Sequence, residues 1–445
     1  MNSNKVLFWS ITVALAGFLF GFDTVVISGA ERQLQALWSL PNDMHGFIMS
    51  TALWGTVVGA IFGSIPTNKI GRKQTLIWIG VLYFVSAVGS ALVSDPYSFG
   101  LFRFIGGLGV GASTIAAPAY VSEIAPAKNR GKLVALYQFN IVFGILIAFI
   151  SNSLLRNMGD VAWRWMIGVE AIPALVYTVL VFSVPKSPRW LLSYKKDEVQ
   201  AKKILQSINP AGDPEKMLAA LKVDQQPKTV GVKREGIWSS KYRTLSILAF
   251  LIAFFNQLSG INAILYYSPR IFEEAGLGES IAFISTIGLG LINLLATLLG
   301  LYLIDRLGRK LLMYIGSIGY IISLSMVAAA FFLGWQGLSI PIFLFVFIAS
   351  HAIGQGAVIW VFISEIFPNH IRAQGQSLGS STHWVLAALI TVFMPQFLSN
   401  DNLNPGYVFV FFAFMMFLQL LYVHFMMPET KGVSLEDLQD QLVGK

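Results

Sequence analysis

The stretch LFWSITVALAGFLFGFDTVVISG, residues 7–29, is long and apolar enough to cross a lipid bilayer as one helix. Its one charged side chain is the carboxylate of Asp23. Placing a carboxylate at membrane depth costs roughly 2.5–3.5 kcal/mol on insertion scales, so such a group is by default a functional site with a partner. The stretch therefore predicts a membrane protein with an ionisable site in its first helix.

Arg103 is the partner that the sequence offers to Asp23. It lies near the start of the fourth apolar segment, whereas Asp23 lies near the end of the first. If those two helix ends share one face of the membrane, the acid and the base lie at a similar depth. The pair can exchange a proton for an arginine contact, or it can be a static ion pair that joins two helices. Glu170, in the sixth apolar segment, is the second choice as proton carrier.

The composition places the whole chain in a membrane. Of its 445 residues, 55% are hydrophobic and 12% are charged, and the mean hydropathy is +0.66. Because unpaired backbone groups cannot face lipid, each apolar segment is expected to be a helix. We predict an all-α integral membrane protein with twelve transmembrane helices. They lie near residues 6–30, 45–67, 74–94, 98–121, 131–153, 164–184, 244–267, 280–304, 311–333, 340–364, 373–397 and 406–427.

The net charge of +8 is an orientation signal and does not indicate a nucleic-acid partner. The basic residues cluster on alternate connections, and the connections near Asp95, Gln336 and Asp401 are nearly free of them. By the positive-inside rule the basic loops and both termini are cytoplasmic. The first helix lacks a small-residue cleavage site, so we expect it to be retained. The chain has no cysteine, which excludes disulfides.

Two halves of the chain repeat. The motif IGRK at residues 70–73 returns as LGRK at 307–310, and SEIAP at 122–126 returns as SEIFP at 364–368. PKSPR at 185–189 corresponds to PETKG at 428–432. An internal repeat of six helices is typical of secondary transporters. We expect two six-helix bundles at residues 1–184 and 244–427, a linker at 185–243 with short amphipathic helices, and a cytoplasmic tail at 428–445.

These motifs resemble those of the sugar porters of the major facilitator superfamily. The resemblance extends along almost the whole chain through GFDT at residues 21–24, the paired Gly-Arg-Lys loops, Arg103, Trp360, and the segments at 185–190, 257–262 and 428–432. It implies the major facilitator fold and a proton-coupled or passive sugar carrier. Four positions depart from the family pattern, namely Asn68, Lys186, Asn256 and Ala357.

Neutral amides and aromatic rings at membrane depth suit an uncharged polyhydroxylated solute. The resemblance assigns sugar binding to Gln138, Asn256, Gln257, Asn262, Asn293 and Trp360, with His383 and Trp384 as neighbours. It assigns the outer gate to Tyr266 and Tyr267. It also implies a cytoplasmic charge network of Arg72, Glu123, Arg130, Arg309, Glu365 and Arg372.

In a straight helix Gln257 and Asn262 would point about 140° apart. Both can face one ligand only if the Ser259-Gly260 pair bends or interrupts the helix. For any single amide, a hydrogen bond between helices is the alternative. His351 can likewise relay protons or serve as a hydrogen-bonded structural group.

The sequence favours a proton-coupled importer of a monosaccharide, a hexose or pentose, in the cell (plasma) membrane. A proton-independent facilitator, a cyclitol or polyol porter and a sugar sensor are the alternatives. The five scattered histidines form no nucleophile-and-base or metal-ligand pattern, so we expect no enzyme activity, metal or cofactor. We expect a monomer in the lipid bilayer.

Overall fold

The described part of the chain contains twelve helices that are long and apolar enough to cross a membrane. The computed structural model describes residues 3–125, 130–210, 212–225, 236–335, 337–368, 371–398, 403–433, 438 and 442, and this part contains no strand. We number the spans α1 (Ser3–Leu37), α2 (Asn42–Phe62), α3 (Arg72–Leu92), α4 (Pro96–Ile124), α5 (Arg130–Leu155), α6 (Gly159–Phe182), α7 (Ser240–Tyr266), α8 (Glu279–Leu307), α9 (Arg309–Leu333), α10 (Ser339–Ile366), α11 (Arg372–Leu398) and α12 (Gly406–Phe425). The predicted fold class and the number of spans are confirmed.

Three of the spans, α6, α7 and α10, are interrupted. The α-helical parts of α6 are Ala162–Gly168 and Ala171–Phe182, so the helix is broken at Glu170. Helix α10 divides at Gly354 into Ser339–Ile353 and Gln355–Ile366. Interrupted helices free backbone groups and redirect side chains at membrane depth, which is how many transporters build a binding site.

Helix α1 is longer than the sequence indicated. It was expected to end near residue 30, but it continues to Leu37. The added turns carry Glu31, Arg32 and Gln33, whose polar groups bond to other segments at this end of the bundle. Helix boundaries read from hydropathy alone miss such turns because their side chains are polar.

Glycines let helices α2 and α4 approach closely. A Cβ atom on Gly107 would lie 1.9 Å from the carbonyl oxygen of Ala52, and one on Gly55 would lie 2.1 Å from that of Phe104. Small residues at such crossings replace the hydrophobic driving force that lipid cannot supply. The glycines of α4 are therefore a packing surface.

The first six spans and the last six spans each pack as a bundle, and a few helix pairs join the two bundles. Helix α2 packs on α11, α5 packs on α8, and α1 contacts the second part of α7. The segment between the halves includes two short helices, Glu198–Ile208 and Pro214–Gln225. Asp213 accepts from the backbone N–H of Glu215 at 2.9 Å, as an N-cap should.

Candidate functional site

The predicted contact between Asp23 and Arg103 is confirmed. Arg103 donates to Asp23 Oδ1 at 2.5 Å and to the Asp23 backbone carbonyl at 3.0 Å. Each side chain is only 2% exposed. Because the pair is closed off from water, removing either partner would leave a charge unpaired in a low-dielectric interior.

Glu170 lies beside this pair at the break in α6. It is fully buried, and neither carboxyl oxygen has a hydrogen-bond partner among the described residues, but the carboxyl is close enough to interact electrostatically with Asp23 and Arg103. The hydroxyls of Tyr83 and Tyr177 are also buried without partners in the described part of the chain. The sequence could not show that Asp23 and Glu170 share one site, since they are far apart along the chain.

The charges of this cluster do not balance without a proton. Two carboxyl groups, Asp23 and Glu170, face one guanidinium, that of Arg103. Burying an unpaired charge is costly, so one proton shared between the acids leaves the cluster neutral. This arrangement can take up or release a proton when its contacts change.

The amides of α7 come together because the helix is broken, as the sequence required. The α-helical parts Arg243–Leu258 and Ile261–Tyr266 meet at Gly260, whose φ is +84°. Asn262 then donates to Gln257 Oε1 at 2.9 Å, and Gln257 donates to Asn256 Oδ1 at 2.8 Å. A Cβ at Gly260 would meet the Phe412 ring at 2.4 Å, so no other residue fits this turn.

Aromatic side chains border the amide cluster. The Gln257 amide nitrogen lies 3.1 Å from Nδ1 of His383. The His383 ring is tilted against Trp360, with centroids 5.4 Å apart, and meets Trp384 edge-on at 4.6 Å. Phe20 of α1 contacts Trp384, with ring centroids 5.6 Å apart. Polar amides and flat apolar surfaces thus meet between the two halves, which is the combination that a sugar ring requires.

A second layer of amides supports the first, and the sequence analysis did not identify it. Asn256 donates to Gln355 at 3.3 Å, Gln355 donates to Gln419 at 2.8 Å, and Gln419 donates to Ser317 at 2.8 Å. Gln355 and Gln419 are fully buried. Their position inside apolar stretches was the available signal, and a buried network of this kind holds its first member in one orientation.

Other predicted sugar-binding residues stand apart from this network. Among the described residues, neither Gln138 on α5 nor Asn293 on α8 forms a hydrogen bond, and Asn293 is 7% exposed. The two helices pack on each other across the halves. His351 bonds to the Tyr320 hydroxyl at 2.6 Å, so it has a structural partner.

The predicted gate tyrosines are buried at the end of the bundle that carries Glu31, which we call the Glu31 end. Tyr266 is 2% exposed and Tyr267 is fully buried, with its hydroxyl donating to the Thr391 carbonyl at 3.1 Å. His45 packs its ring on Tyr267 and bonds to Glu31 at 2.8 Å. These contacts bring the two halves together at the Glu31 end.

Ion pairs that the sequence pattern did not indicate also join the two halves at this end. Glu31 accepts from Arg270 at 3.1 Å, and Arg32 pairs with Glu273. Both acid–base pairs join α1 to the segment Ser268–Glu274 that follows α7. Charged residues directly after two apolar segments were the signal, but their pairing depends on the packing of the halves.

At the opposite end, which we call the Arg72 end, four residues of the expected charge network form two ion pairs. Arg72 contacts Glu123 at 2.9 Å, and Arg309 donates to both oxygens of Glu365, at 2.7 and 3.0 Å. Arg372, the remaining described residue of that network, donates to the backbone carbonyl of Phe367 at 3.3 Å. The side chain of Arg130 lies outside the described residues. In the described part of the chain, the first pair lies within the first half and the second pair lies within the second half.

Glu429 completes the network in the second half. Its carboxylate accepts the backbone N–H groups of Arg309 at 3.0 Å and Lys310 at 2.9 Å, at the start of α9. Burial disfavours the charged form of this carboxyl, but four backbone N–H donors outweigh burial and hold its pKa below the ordinary value. Thr430 adds a bond to Glu365 at 2.6 Å. The Glu429 carboxylate thus caps the start of α9, although Glu429 itself lies in the segment that follows α12.

Glu429→Gln is expected to lower the thermal stability of the purified protein at neutral pH by about 1 kcal/mol, since an N-terminal cap on a partly solvated helix is worth that much. A lowered folded-state pKa contributes stability above the unfolded value, and the contribution is lost as the pH falls through the folded value. The difference in Tm between wild type and variant should therefore shrink as the pH is lowered below about 4. Glu215→Gln, on the exposed linker, is the control and should leave Tm nearly unchanged. A difference in Tm that persists at low pH would contradict this role of the charge.

No group of three or more His, Cys, Asp or Glu side chains that could hold a metal ion occurs among the described residues. The site consists of two parts, the acidic cluster around Asp23 and the amide cluster around Gln257. The acidic cluster lies in the first half of the chain, on α1, α4 and α6. The amide cluster lies in the second half, on α7 and α11.

Comparisons with known proteins find relatives along almost the whole chain. The family model described as "Sugar (and other) transporter" matches residues 9–442. The chain is 33% identical to the D-xylose-proton symporter of Escherichia coli K12, over 98% of this chain and 96% of the relative. It is 33% identical to the arabinose-proton symporter of Bacillus subtilis, over 98% and 94% of the two chains.

Solved structures of the xylose transporter XylE from E. coli have the same fold. The inward open conformation superimposes with a TM-score of 0.85 at 31% identity, covering 97% of this chain and 99% of XylE. The complex of XylE with 6-bromo-6-deoxy-D-glucose gives a TM-score of 0.79 at 32% identity, covering 99% and 100% of the two chains. The fold therefore matches a protein whose structure has been determined in an inward open conformation and in complex with a sugar analogue.

Proposed function

The chain belongs to the sugar transporter family, and from that premise we propose that it imports a monosaccharide together with a proton by alternating access. Its relatives include proteins named as proton symporters of xylose and arabinose. The observation that carries the proton coupling is the buried ion pair of Asp23 and Arg103 with Glu170 beside it. A passive carrier has no need of two buried acids around one arginine.

In this mechanism the acidic cluster is the proton site. Protonation of Asp23 weakens its hold on Arg103, and α1 and α4 are then free to change their contacts. Sugar binding drives the halves at residues 1–184 and 244–427 to rock against each other around the linker at 185–243. Release of the proton on the other side restores the pair and favours return. Glu170 receives or passes on the proton, since its buried carboxyl has no hydrogen-bond partner among the described residues and lies within electrostatic reach of Asp23.

The amide cluster is the sugar site. Gln257, Asn256 and Asn262 offer donors and acceptors to sugar hydroxyls, and Trp360 and Trp384 offer apolar faces to the C–H side of the ring. In the observed structure the amides bond to one another, so a sugar exchanges these bonds for its own. We propose hexoses and pentoses as the substrate class. Gln138 and Asn293, on the helices where the halves meet, are proposed to complete the site as the halves close.

The orientation follows from charge and from the closed end. We propose that the basic Arg72 end faces the cytoplasm, together with both termini and the tail at 428–445. The Glu31 end, closed by the pairs around Glu31 and Arg32, then faces outward. The structure thus corresponds to a state closed to the outside, and the protein is proposed to act as a monomer in the plasma membrane.

A sugar-driven pH change tests the proposal. Cells or vesicles containing the protein should take up protons when the transported sugar is added, and the outside medium should become more alkaline. The scan covers glucose, fructose, galactose, xylose, arabinose and myo-inositol, each with a protonophore control that removes the signal. Equilibration of labelled sugar without any pH change would identify a proton-independent facilitator and reduce the Asp23–Arg103 pair to a structural role.

A further inference from the structure

A basic cavity lies at the start of α3, at the Arg72 end. It has a volume of about 190 Å³, and its lining includes the cationic side chains Arg72, Lys73, Lys186 and Lys195. Trp190 forms one wall, with its ring against Gly71 and with the Lys195 ammonium 5.7 Å from the ring centroid. No acidic side chain is among the lining residues. Four cations around one small cavity attract an anion.

The protein itself does not neutralise this cavity. Arg72 uses its guanidinium on Glu123, and Lys73 donates to the Phe182 carbonyl at 2.8 Å. Lys186 forms no ion pair with any described residue, and its charge repels Lys73. Gly71, at the N-cap of α3, offers no side chain, and no described group accepts from the first backbone N–H groups of this helix. A positive helix terminus and the lysines thus point at the same space.

The second half of the chain contains the same structure with an anion in place. Gly308 precedes α9 with φ +89° and ψ 169°, as Gly71 precedes α3 with φ +94° and ψ 158°. There the first two backbone N–H groups of the helix donate to the carboxylate of Glu429. The residue at the repeat-related position of the first half is Lys186, in PKSPR against PETKG. The charge of the capping residue has therefore been reversed in one half.

We propose that a phosphate-bearing anion from outside the chain binds in this cavity and takes the place that Glu429 occupies in the second half. Its oxygens accept from the start of α3 and pair with Lys186 and Lys73, while Arg72 stays on Glu123. The phosphate can belong to the headgroup of an anionic lipid or to free inorganic phosphate, since both present the same oxygens. The site lies away from the sugar and proton clusters and does not depend on the proposed transport activity.

Binding is measured with two probes on the full-length purified protein. Inorganic phosphate is titrated into detergent-solubilised protein by calorimetry in a phosphate-free buffer. Phosphatidylglycerol is tested against phosphatidylcholine in nanodiscs by native mass spectrometry. Binding of inorganic phosphate identifies a free-anion site, and retention of phosphatidylglycerol alone identifies a lipid headgroup site; either result supports the proposal. The affinity should fall as the ionic strength is raised.

The decisive variant is Lys186→Glu, which supplies the carboxylate found in the second half. We expect it to reduce binding of the active probe at least tenfold, and Lys186→Gln, which only removes the charge, to reduce binding about threefold. Lys203→Glu makes the same charge change at an exposed linker residue outside the cavity and should keep the affinity within twofold. Failure of both probes to bind the wild type, or an equal loss in Lys186→Glu and Lys203→Glu, would overturn the proposal.

Discussion

Asp23→Asn is expected to abolish uphill accumulation of sugar while sugar exchange across the membrane remains measurable. The amide keeps the size of the side chain and a contact to Arg103, but it cannot release a proton. The proton gradient then has no means of driving transport, and the accumulation ratio should fall to about 1. The measurement is uptake of labelled sugar by energised vesicles, paired with exchange under equal sugar concentrations on both sides.

A matched control separates this effect from a loss of folding. Asp95→Asn changes an exposed acid that caps α4, and asparagine caps a helix as well as aspartate does. It should accumulate sugar like the wild type. Glu170→Gln should also reduce uphill accumulation, since Glu170 shares the cluster with Asp23. Its sugar exchange should be slower than that of the wild type. Uphill accumulation by Asp23→Asn at the wild-type level would rule out Asp23 as the proton carrier.

Gln257→Ala is expected to weaken sugar binding tenfold to a hundredfold. Gln257 connects Asn256, Asn262 and His383, so its removal takes away its own sugar contacts and also frees the orientation of its neighbours. Loss of one or two hydrogen bonds in a buried site costs about 1.5–3 kcal/mol, which corresponds to this range of affinity. The measurement is the Kd of the transported sugar by calorimetry or by quenching of tryptophan fluorescence.

The control for this change is another buried amide. Asn152 on α5 is 1% exposed and donates to the Val26 carbonyl at 3.0 Å, away from the amide cluster. Asn152→Ala should lower Tm, as Gln257→Ala does, because each removes a buried hydrogen bond. Only Gln257→Ala should change the Kd. Equal affinities for sugar in the two variants would assign the amide cluster a purely structural role.

The ion-paired residues of the Glu31 end could not be found from the sequence. Glu31 and Arg32 follow an apolar segment like any helix end that faces water, and nothing in their spacing distinguishes a gate from a solvated surface. Their partners, Arg270 and Glu273, lie in the other half of the chain. The pairing exists because the two bundles lean together at this end, which is a property of their packing.

The pairings within the charge network could not be predicted for the same reason. Glu365 and Arg372 are close in the sequence and flank one loop, whereas Arg309 lies 56 residues before Glu365. In the structure Arg309 reaches Glu365 from the start of α9 with two parallel bonds. A bidentate arginine–carboxylate contact outcompetes a local one because its geometry satisfies both groups at once.

The sequence by itself determined the class of protein, the number of spans, the internal repeat and the break in α7. Each of these follows from local chemistry, because lipid excludes unpaired backbone groups, and because Gln257 and Asn262 cannot face one ligand across a straight helix. Only the tertiary structure decided that Glu170 joins Asp23 and Arg103, that Gln355 and Gln419 support the amides, and that Lys186 leaves a basic cavity open. Those contacts join helices distant along the chain, and their energies depend on distances that composition and spacing do not contain.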